Sequence, residues 1–351
     1  MFGSKKPKKI LLIIDPQNDF SVIKLGFRED DGPLGVPGSN EDYERIAKLI
    51  EANIFDEIHI SLDTHTIKHI GHKGFYKAND ELREIIACKP WEEKFTPVDE
   101  RLNDYVKDYA VKHGEARDAR DFTYCIWDTH CLEDSSGHEI VKEITDALDK
   151  QSKDETSEVK VRYHIKGQNE LTEMYSIFSA AVQPNRVNGS VGEYKYSGTK
   201  SGAYNRGEGV GSYEEAKNSF NLETSMNTEL LAKLFRDNNE IYVCGQAKTH
   251  CVKDSVLDMI KYATDNGGLD RIHLITDCTS AIPESLDNIE ATLTNSGGKL
   301  VTGHDLLGTG QQSTSAVTVG GKRRTKKQKK SKKKKTRKSR KTRKNKKSRK
   351  H

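Results

Sequence analysis

Short apolar runs rich in Ile and Val recur along this chain with helix-length amphipathic segments between them, and that alternation limits the fold more than any other feature. Lys9–Asp15, Glu57–Asp63, Phe122–Trp127, Val159–Lys166, Glu240–Gly245 and Arg271–Thr276 read as strands. The segments between them carry helix signals. One opens at Ser39 with Asp42 three residues on, as in a capping box, and Asp99–Lys112, Gly137–Leu148, Ser225–Phe235, His250–Thr264 and Glu284–Thr294 follow. Strands alternating with helices predict an α/β fold: a doubly wound, mostly parallel sheet with helices on both faces. No internal repeat is present.

Charge sets the limits of the folded part. With 32% charged residues and a mean hydropathy of −0.79, the whole looks too polar for a globular enzyme. Residues 322–351 resolve this, because they hold 21 of the 58 Lys and Arg and no acid, leaving 37 basic against all 53 acidic residues elsewhere. A body near −16 is therefore joined to a tail near +21. A block of like charge repels itself and cannot bury apolar surface, so the tail is predicted to be disordered. The Gly-, Ser- and Thr-rich stretch 308–321 reads as a flexible linker, and residues 1–307 as the folded domain. Within that domain, 183–218 is rich in Gly, Tyr, Ser and Asn and too long for an ordinary connection; such loops are lids, binding loops or disordered.

No apolar run approaches the ~20 residues needed to span a bilayer, and the first apolar stretch, preceded by lysines, reads as a strand and not a signal peptide. The six cysteines (Cys88, Cys125, Cys131, Cys244, Cys251, Cys278) include no CxxC pair. Their spacing suits a reduced, intracellular setting, cytoplasmic or nuclear, with thiols free for chemistry. A Lys/Arg tail without aromatic residues would contact nucleic-acid phosphates nonspecifically; an acidic protein partner, anionic lipid or a merely solubilising arm are the other uses of such a segment. Nothing in the sequence fixes an oligomeric state.

In open α/β sheets the ligand crevice lies outside the carboxyl ends of the strands. Here Asp15 ends the first predicted strand, Asp63 and His65 follow the second, His130 the third, Lys166 ends the fourth and Cys251 follows the fifth. Cys251 starts a helical run, whose positive end favours a thiolate, and the backbone N–H groups of Ala247 and Cys251 are candidate oxyanion donors. Asp15 is placed to accept the thiol proton and return it to a leaving amine. Lys166 beside both would stabilise the thiolate. Each residue also has an ordinary reading: a buried structural cysteine, a turn aspartate, a strand-end lysine reaching solvent. Their convergence on one sheet edge favours chemistry. Asp63, His65 and His130 supply one carboxylate and two imidazoles, a donor set for a divalent metal, Zn²⁺ first, with Fe²⁺ or Mn²⁺ as alternatives. His69 and His72 could be ligands, groups that orient the ligands, or plain surface histidines; no spacing distinguishes them, and the surface reading is preferred.

Taken together these segments resemble the nicotinamidase/isochorismatase-like cysteine hydrolase family. The matching pieces are Ile14-Asp15-Pro-Gln-Asn-Asp-Phe20, Leu34-Gly-Val-Pro-Gly38, Ser61-Leu-Asp-Thr-His65, Trp127-Asp-Thr-His-Cys131, Lys166-Gly167 with Tyr175-Ser176, and Cys244-Gly-Gln-Ala-Lys-Thr-His-Cys251. They stand in family order. The resemblance implies the isochorismatase-like hydrolase fold, an Asp15–Lys166–Cys251 triad working through an acyl-thioester, and a cis peptide at Gln246–Ala247 that aims N–H groups at the oxyanion. In nicotinamidases the positions of Asp63, His65 and His130 bind a metal that holds the pyridine nitrogen of the substrate, and isochorismatases lack that set. Phe20, Trp127 and Tyr175 would line the substrate pocket. Two departures stand out: Ala247-Lys-Thr-His-Cys251 replaces the common Ala-Thr-Asp-x-Cys, and the interval from Lys166 to Tyr175 is long, with Gln168-Asn-Glu-Leu-Thr-Glu173 closer to a less characterised branch.

The expected function is a metal-assisted cysteine amidohydrolase acting on a small-molecule amide, nicotinamide first. The alternatives are a relative hydrolysing another amide or an enol ether, and a non-catalytic nucleic-acid-binding protein built around the basic tail.

Overall fold

The computed structural model describes residues 6–22, 33–77, 96–118, 125–189, 191–283, 285 and 287–308. All of them belong to one compact unit, 1–310. The basic tail 322–351 and, beyond Gly308, the linker lie outside the described residues.

Six strands form one parallel sheet: β1 (Lys9–Ile14), β2 (Glu57–Asp63), β3 (Lys160–Lys166), β4 (Glu240–Gly245), β5 (Ile272–Ile275) and β6 (Lys299–Val301), in the order β3-β2-β1-β4-β5-β6. The helices are α1 (Ser39–Glu51), α2 (Asn103–Asp118), α3 (Lys142–Ser152), α4 (Tyr213–Asn218), α5 (Thr228–Phe235), α6 (Lys253–Asn266), α7 (Ile289–Asn295) and α8 (Gly303–Leu306).

The near-continuous apolar strands follow from burial on both faces. Along β1, Ile10, Leu12 and Ile14 point into one layer with Leu230, Leu231 and Leu234 of α5, Val256 and Met259 of α6 and Leu293 of α7. Leu11 and Ile13 point the other way, onto Tyr43, Ile46 and Leu49 of α1 and Ile144 and Ala147 of α3. Each such side chain contributes ~1.5–3 kcal/mol on burial, and the doubly wound prediction holds.

Several predicted elements shift. The run Phe122–Trp127 lies partly outside the described residues; of what remains, Trp127 makes only an isolated bridge to His72. The sixth strand is instead β6, whose three residues are too short and too exposed to stand out as a periodic run. The helix at Ser39 has no capping box, because its cap is Gly38 at φ 94°, without a side-chain cap bond. The run from His250 begins its α-helix only at Lys253, after a π turn over Lys248–Val252. Cys131, Cys244, Cys251 and Cys278 are free, as a reduced setting predicts, while Cys125 is disulfide-bonded, which departs from it.

The long insert is fastened along the β3 edge. Val210 and Tyr163 exchange backbone hydrogen bonds of 3.0 and 2.9 Å, and buried Glu170 accepts from Thr66 Oγ1 (2.5 Å), Tyr194 OH (2.6 Å) and the Ser197 N–H (2.8 Å). The bridge at Tyr163 occupies part of the backbone that this edge strand would otherwise offer to another chain.

Candidate active site

The strand order reverses between β1 and β4, and it is there, past the strand carboxyl ends, that the singled-out residues meet. Register does much of the placing. Asp63 pairs directly with Lys166 across β2 and β3, and Ile14 pairs with Gly245 across β1 and β4. A side chain at 245 is excluded: φ is +108°, and a Cβ would stand 2.1 Å from the Ile14 carbonyl oxygen. After Gly245 the Gln246–Ala247 peptide is cis. The Ala247 carbonyl then accepts from the His250 and Val252 N–H groups at 3.0 and 3.2 Å, winding the turn that carries Cys251.

At the centre lies the Lys166 ammonium, fully buried. It stands 2.9 Å from Asp15 Oδ2, 3.0 Å from Asp63 Oδ1 and 3.7 Å from Cys251 Sγ. Burial alone would lower the ammonium; Asp15 and Asp63 outweigh it and hold Lys166 well above the usual lysine range, so it is charged. Burial also pushes Asp63 up, but His65 and Lys166 together hold its carboxyl well below the usual carboxylate range. Asp15 differs. Burial raises it above its ordinary value despite Lys166 and a hydrogen bond from Ser61. The Cys251 thiol, hydrogen-bonded to Asp15, is likewise pushed well up by burial, with Lys166 opposing. The resting pair is therefore a protonated thiol beside a carboxylate whose basicity is enhanced, and not the thiolate that a helix start suggested.

Ser61 was not singled out from the sequence. Its hydroxyl donates to Asp15 Oδ1 (2.6 Å) and accepts from the Asp15 N–H (3.1 Å), with the side chain fully buried. A period-two row of polar residues on an otherwise apolar strand, His59, Ser61 and Asp63, was the available signal.

Asp63 Oδ2 faces two imidazoles, His65 Nε2 at 2.9 Å and His130 Nε2 at 3.5 Å. The other nitrogen of each ring meets a backbone oxygen, His65 Nδ1 with Gly167 O at 3.0 Å and His130 Nδ1 with Asp128 O at 2.8 Å. That arrangement turns both Nε2 atoms toward the carboxylate, the pattern by which metal-binding histidines are oriented. One ligand atom from each of Asp63, His65 and His130 falls within 4.8 Å of the others, and the same holds for His65, His69 and His72. His69 and His72 are both buried, not surface residues.

Cys251, Ala247, Asp63 and His130 line a narrow cavity with Phe20, Trp127 and Tyr175, the three predicted wall residues. Its volume is about 20 Å³, the room of a single water. Trp127 donates its indole N–H to Tyr175 OH at 2.7 Å, and Phe20 meets His130 edge-on at 5.8 Å. Leu34, His250 and Ile282 complete the wall. Leu34 and His250 lie inside two of the motifs quoted above but were not singled out as wall residues, and Ile282 carried no sequence signal.

No family model matches the sequence, and no curated protein matches it. Among solved structures the chain is similar to the nicotinamidase/pyrazinamidase of Acinetobacter baumanii (18% identity, TM-score 0.49, covering 86% of this chain and 100% of that one). It is similar also to yeast nicotinamidase bound to the inhibitor nicotinaldehyde (17%, TM-score 0.48, covering 84% and 99%), and to N-carbamoylsarcosine amidase of Thermoplasma acidophilum (14%, TM-score 0.38, covering 84% and 96%).

Proposed function

We propose that this chain is a cysteine amidohydrolase that takes a small amide to its acid and ammonia through an acyl-thioester on Cys251, with nicotinamide the preferred candidate substrate. The observation that carries the reading is the buried Lys166 ammonium, in contact at once with Asp15, Asp63 and Cys251. Three charged groups taken out of water cost several kcal/mol each unless they are mutually paired, and pairing them around a protonated thiol prepares one reaction.

As Cys251 Sγ attacks the amide carbon, its proton passes to Asp15, and the charge developing on the carbonyl oxygen falls toward the Ala247 and Cys251 N–H groups. Asp15 returns the proton to the amine, the C–N bond breaks, and ammonia leaves. Water then adds to the thioester as Asp15 takes its proton, the C–S bond breaks, and the thiol is restored with release of the acid. Throughout, Lys166 remains charged, compensating each carboxylate while Asp15 alternates between its two states.

The donors around Asp63 fit a divalent cation: one carboxylate oxygen and two oriented Nε2 atoms, with buried His72 beside them lacking any hydrogen-bond partner. Asp63, His65 and His130 would hold it, and a cation bound there supplies a Lewis-acidic position that can engage a ring nitrogen and orient the substrate. The donor set is what favours a nicotinamide-like substrate over an enol ether.

The test is ammonia release from nicotinamide by the purified protein, before and after chelator treatment and metal restoration. Turnover that falls with chelation and returns with metal is expected. A folded, metal-loaded protein that releases no ammonia removes nicotinamide and returns the choice to other amides.

A further inference from the structure

The turn that carries Cys251 has two side chains that the chemistry above leaves unused, Lys248 and Thr249, and both reach the chain that follows β5. Backbone joins the two segments first: the Lys248 N–H donates to the Ser280 carbonyl at 2.8 Å. Further out, the Lys248 ammonium stands 2.6 Å from Asp287 Oδ2 and 3.1 Å from Glu290 Oε1, the latter in the first turn of α7. With only 15% of the lysine side chain exposed, this three-membered group is held more firmly than an ordinary surface pair.

Thr249 is fully buried, and its hydroxyl has two partners. It accepts from the Ile282 N–H at 3.2 Å and lies 3.0 Å from His250 Nδ1. The Ile282 N–H occupies one lone pair, so the hydroxyl proton is left for Nδ1, which places the imidazole proton of His250 on Nε2. Ile282 and His250 are both walls of the Cys251 cavity, and the His250 ring lies edge-on to Trp127 at 5.0 Å and to Tyr175 at 5.6 Å. One hydroxyl therefore sets two walls that come from different segments. A pocket discriminates between acyl groups that differ by little more than a methylene only when its walls are fixed.

We propose that Thr249 is a positioning residue that sets the breadth of the cavity at Cys251 by holding Ile282 and His250 together, with Lys248 as the outer anchor, and that this clasp determines which amides the site accepts. The proposal rests on Cys251 as the reactive group of that cavity and extends the preceding reading from the reaction to the size of the acyl group.

The experiment is alkylation of Cys251 in the full-length protein by iodoacetamide and by its ring-bearing analogue N-phenyliodoacetamide, followed by mass analysis of the peptide carrying residue 251. With either reagent the sulfur bonds to the methylene carbon, iodide leaves and the thiol proton is lost, so the ratio of the two rates reads access to the sulfur without any turnover. Thr249→Val keeps the side-chain shape, removes the hydroxyl and is expected to shift that ratio about 10-fold toward the ring-bearing reagent, the low end of what pocket fit contributes to discrimination. Thr249→Ser, which keeps the hydroxyl, should retain the unsubstituted ratio. Lys248→Met should shift it in the same direction by less, and it carries the test if Thr249→Val does not fold. A merely structural role would speed both reagents alike. An unchanged ratio in folded Thr249→Val or in Lys248→Met, or a shift in Thr249→Ser as large as in Thr249→Val, overturns the proposal. A protein that shows the expected ratios but releases ammonia from no amide keeps the clasp and loses the hydrolase reading.

Discussion

Two buried polar clusters lie along the same pair of strands, and only one is arranged for chemistry. At the carboxyl ends of β2 and β3, Asp63 and Lys166 are joined by Asp15 and Cys251. Further back, His59 Nδ1 meets His164 Nε2 at 2.8 Å, His59 Nε2 meets Glu57 Oε2 at 3.4 Å, and Tyr204 OH reaches His164 Nδ1 at 3.4 Å. The hydrogen bond to His59, aided by Lys8, holds Glu57 down at about 2, while burial pushes His59 and His164 below the usual imidazole range. In this second cluster every imidazole nitrogen has a partner and the rings are neutral. The first keeps a charged ammonium against a protonated thiol and borders a cavity. Burial of polar groups is thus not the mark of a site; a nucleophile held beside a poised base and a space for substrate is.

The comparison is broken most severely at Ser61. If its hydroxyl positions the Asp15 carboxylate, Ser61→Ala should lower kcat by roughly 10- to 100-fold with little change in KM, the scale of an impaired acid–base step. Ser61 lowers the Asp15 pKa, so its loss should raise it. Asp15 must be ionised to accept the thiol proton, so activity is present above its pKa and lost below it; the acid limb of kcat/KM should move to higher pH. Ser61→Thr, which keeps the hydroxyl, should restore most of the rate. An unshifted limb in Ser61→Ala would leave Ser61 a packing residue.

A smaller effect is expected in the other cluster. His59→Gln should cost about 1–3 kcal/mol of stability through the hydrogen bonds it disturbs and leave kcat unchanged. Because burial depresses His59 and His164 in the folded state, the unfolded chain binds more protons once pH drops below its imidazole pKa of about 6.5. Their contribution is fully present above that pH and declines below it. Urea unfolding at pH 8 and pH 5 should therefore show a shallower acid loss for His59→Gln than for the unsubstituted protein; equal slopes would contradict the assignment of this pair as neutral and buried.

Much of the first cluster was legible before the fold. Asp15, Asp63 and Lys166 each stand at the end of a predicted strand, and a parallel sheet brings strand ends to one edge whatever the loops do. Cys251 could be read because it follows such a strand by a short Gly-containing turn. What was hidden depends on contacts without sequence periodicity. The π turn that carries Cys251 has no local signature, and the three-residue β6 is too brief to show alternation. The protonation state was misread for a related reason: a helix start favours thiolate in water-accessible settings, and burial beside Asp15 reverses the sign.

The central claim is that Cys251 forms the covalent intermediate. Rapid quenching during nicotinamide turnover, followed by mass analysis of the peptide carrying residue 251, tests it most directly. The account predicts an acyl adduct on Cys251 that decays to free acid as ammonia accumulates, and no adduct or ammonia release in a folded Cys251→Ala variant. Ammonia released at an undiminished rate by that variant, or an adduct carried by another residue, would contradict it.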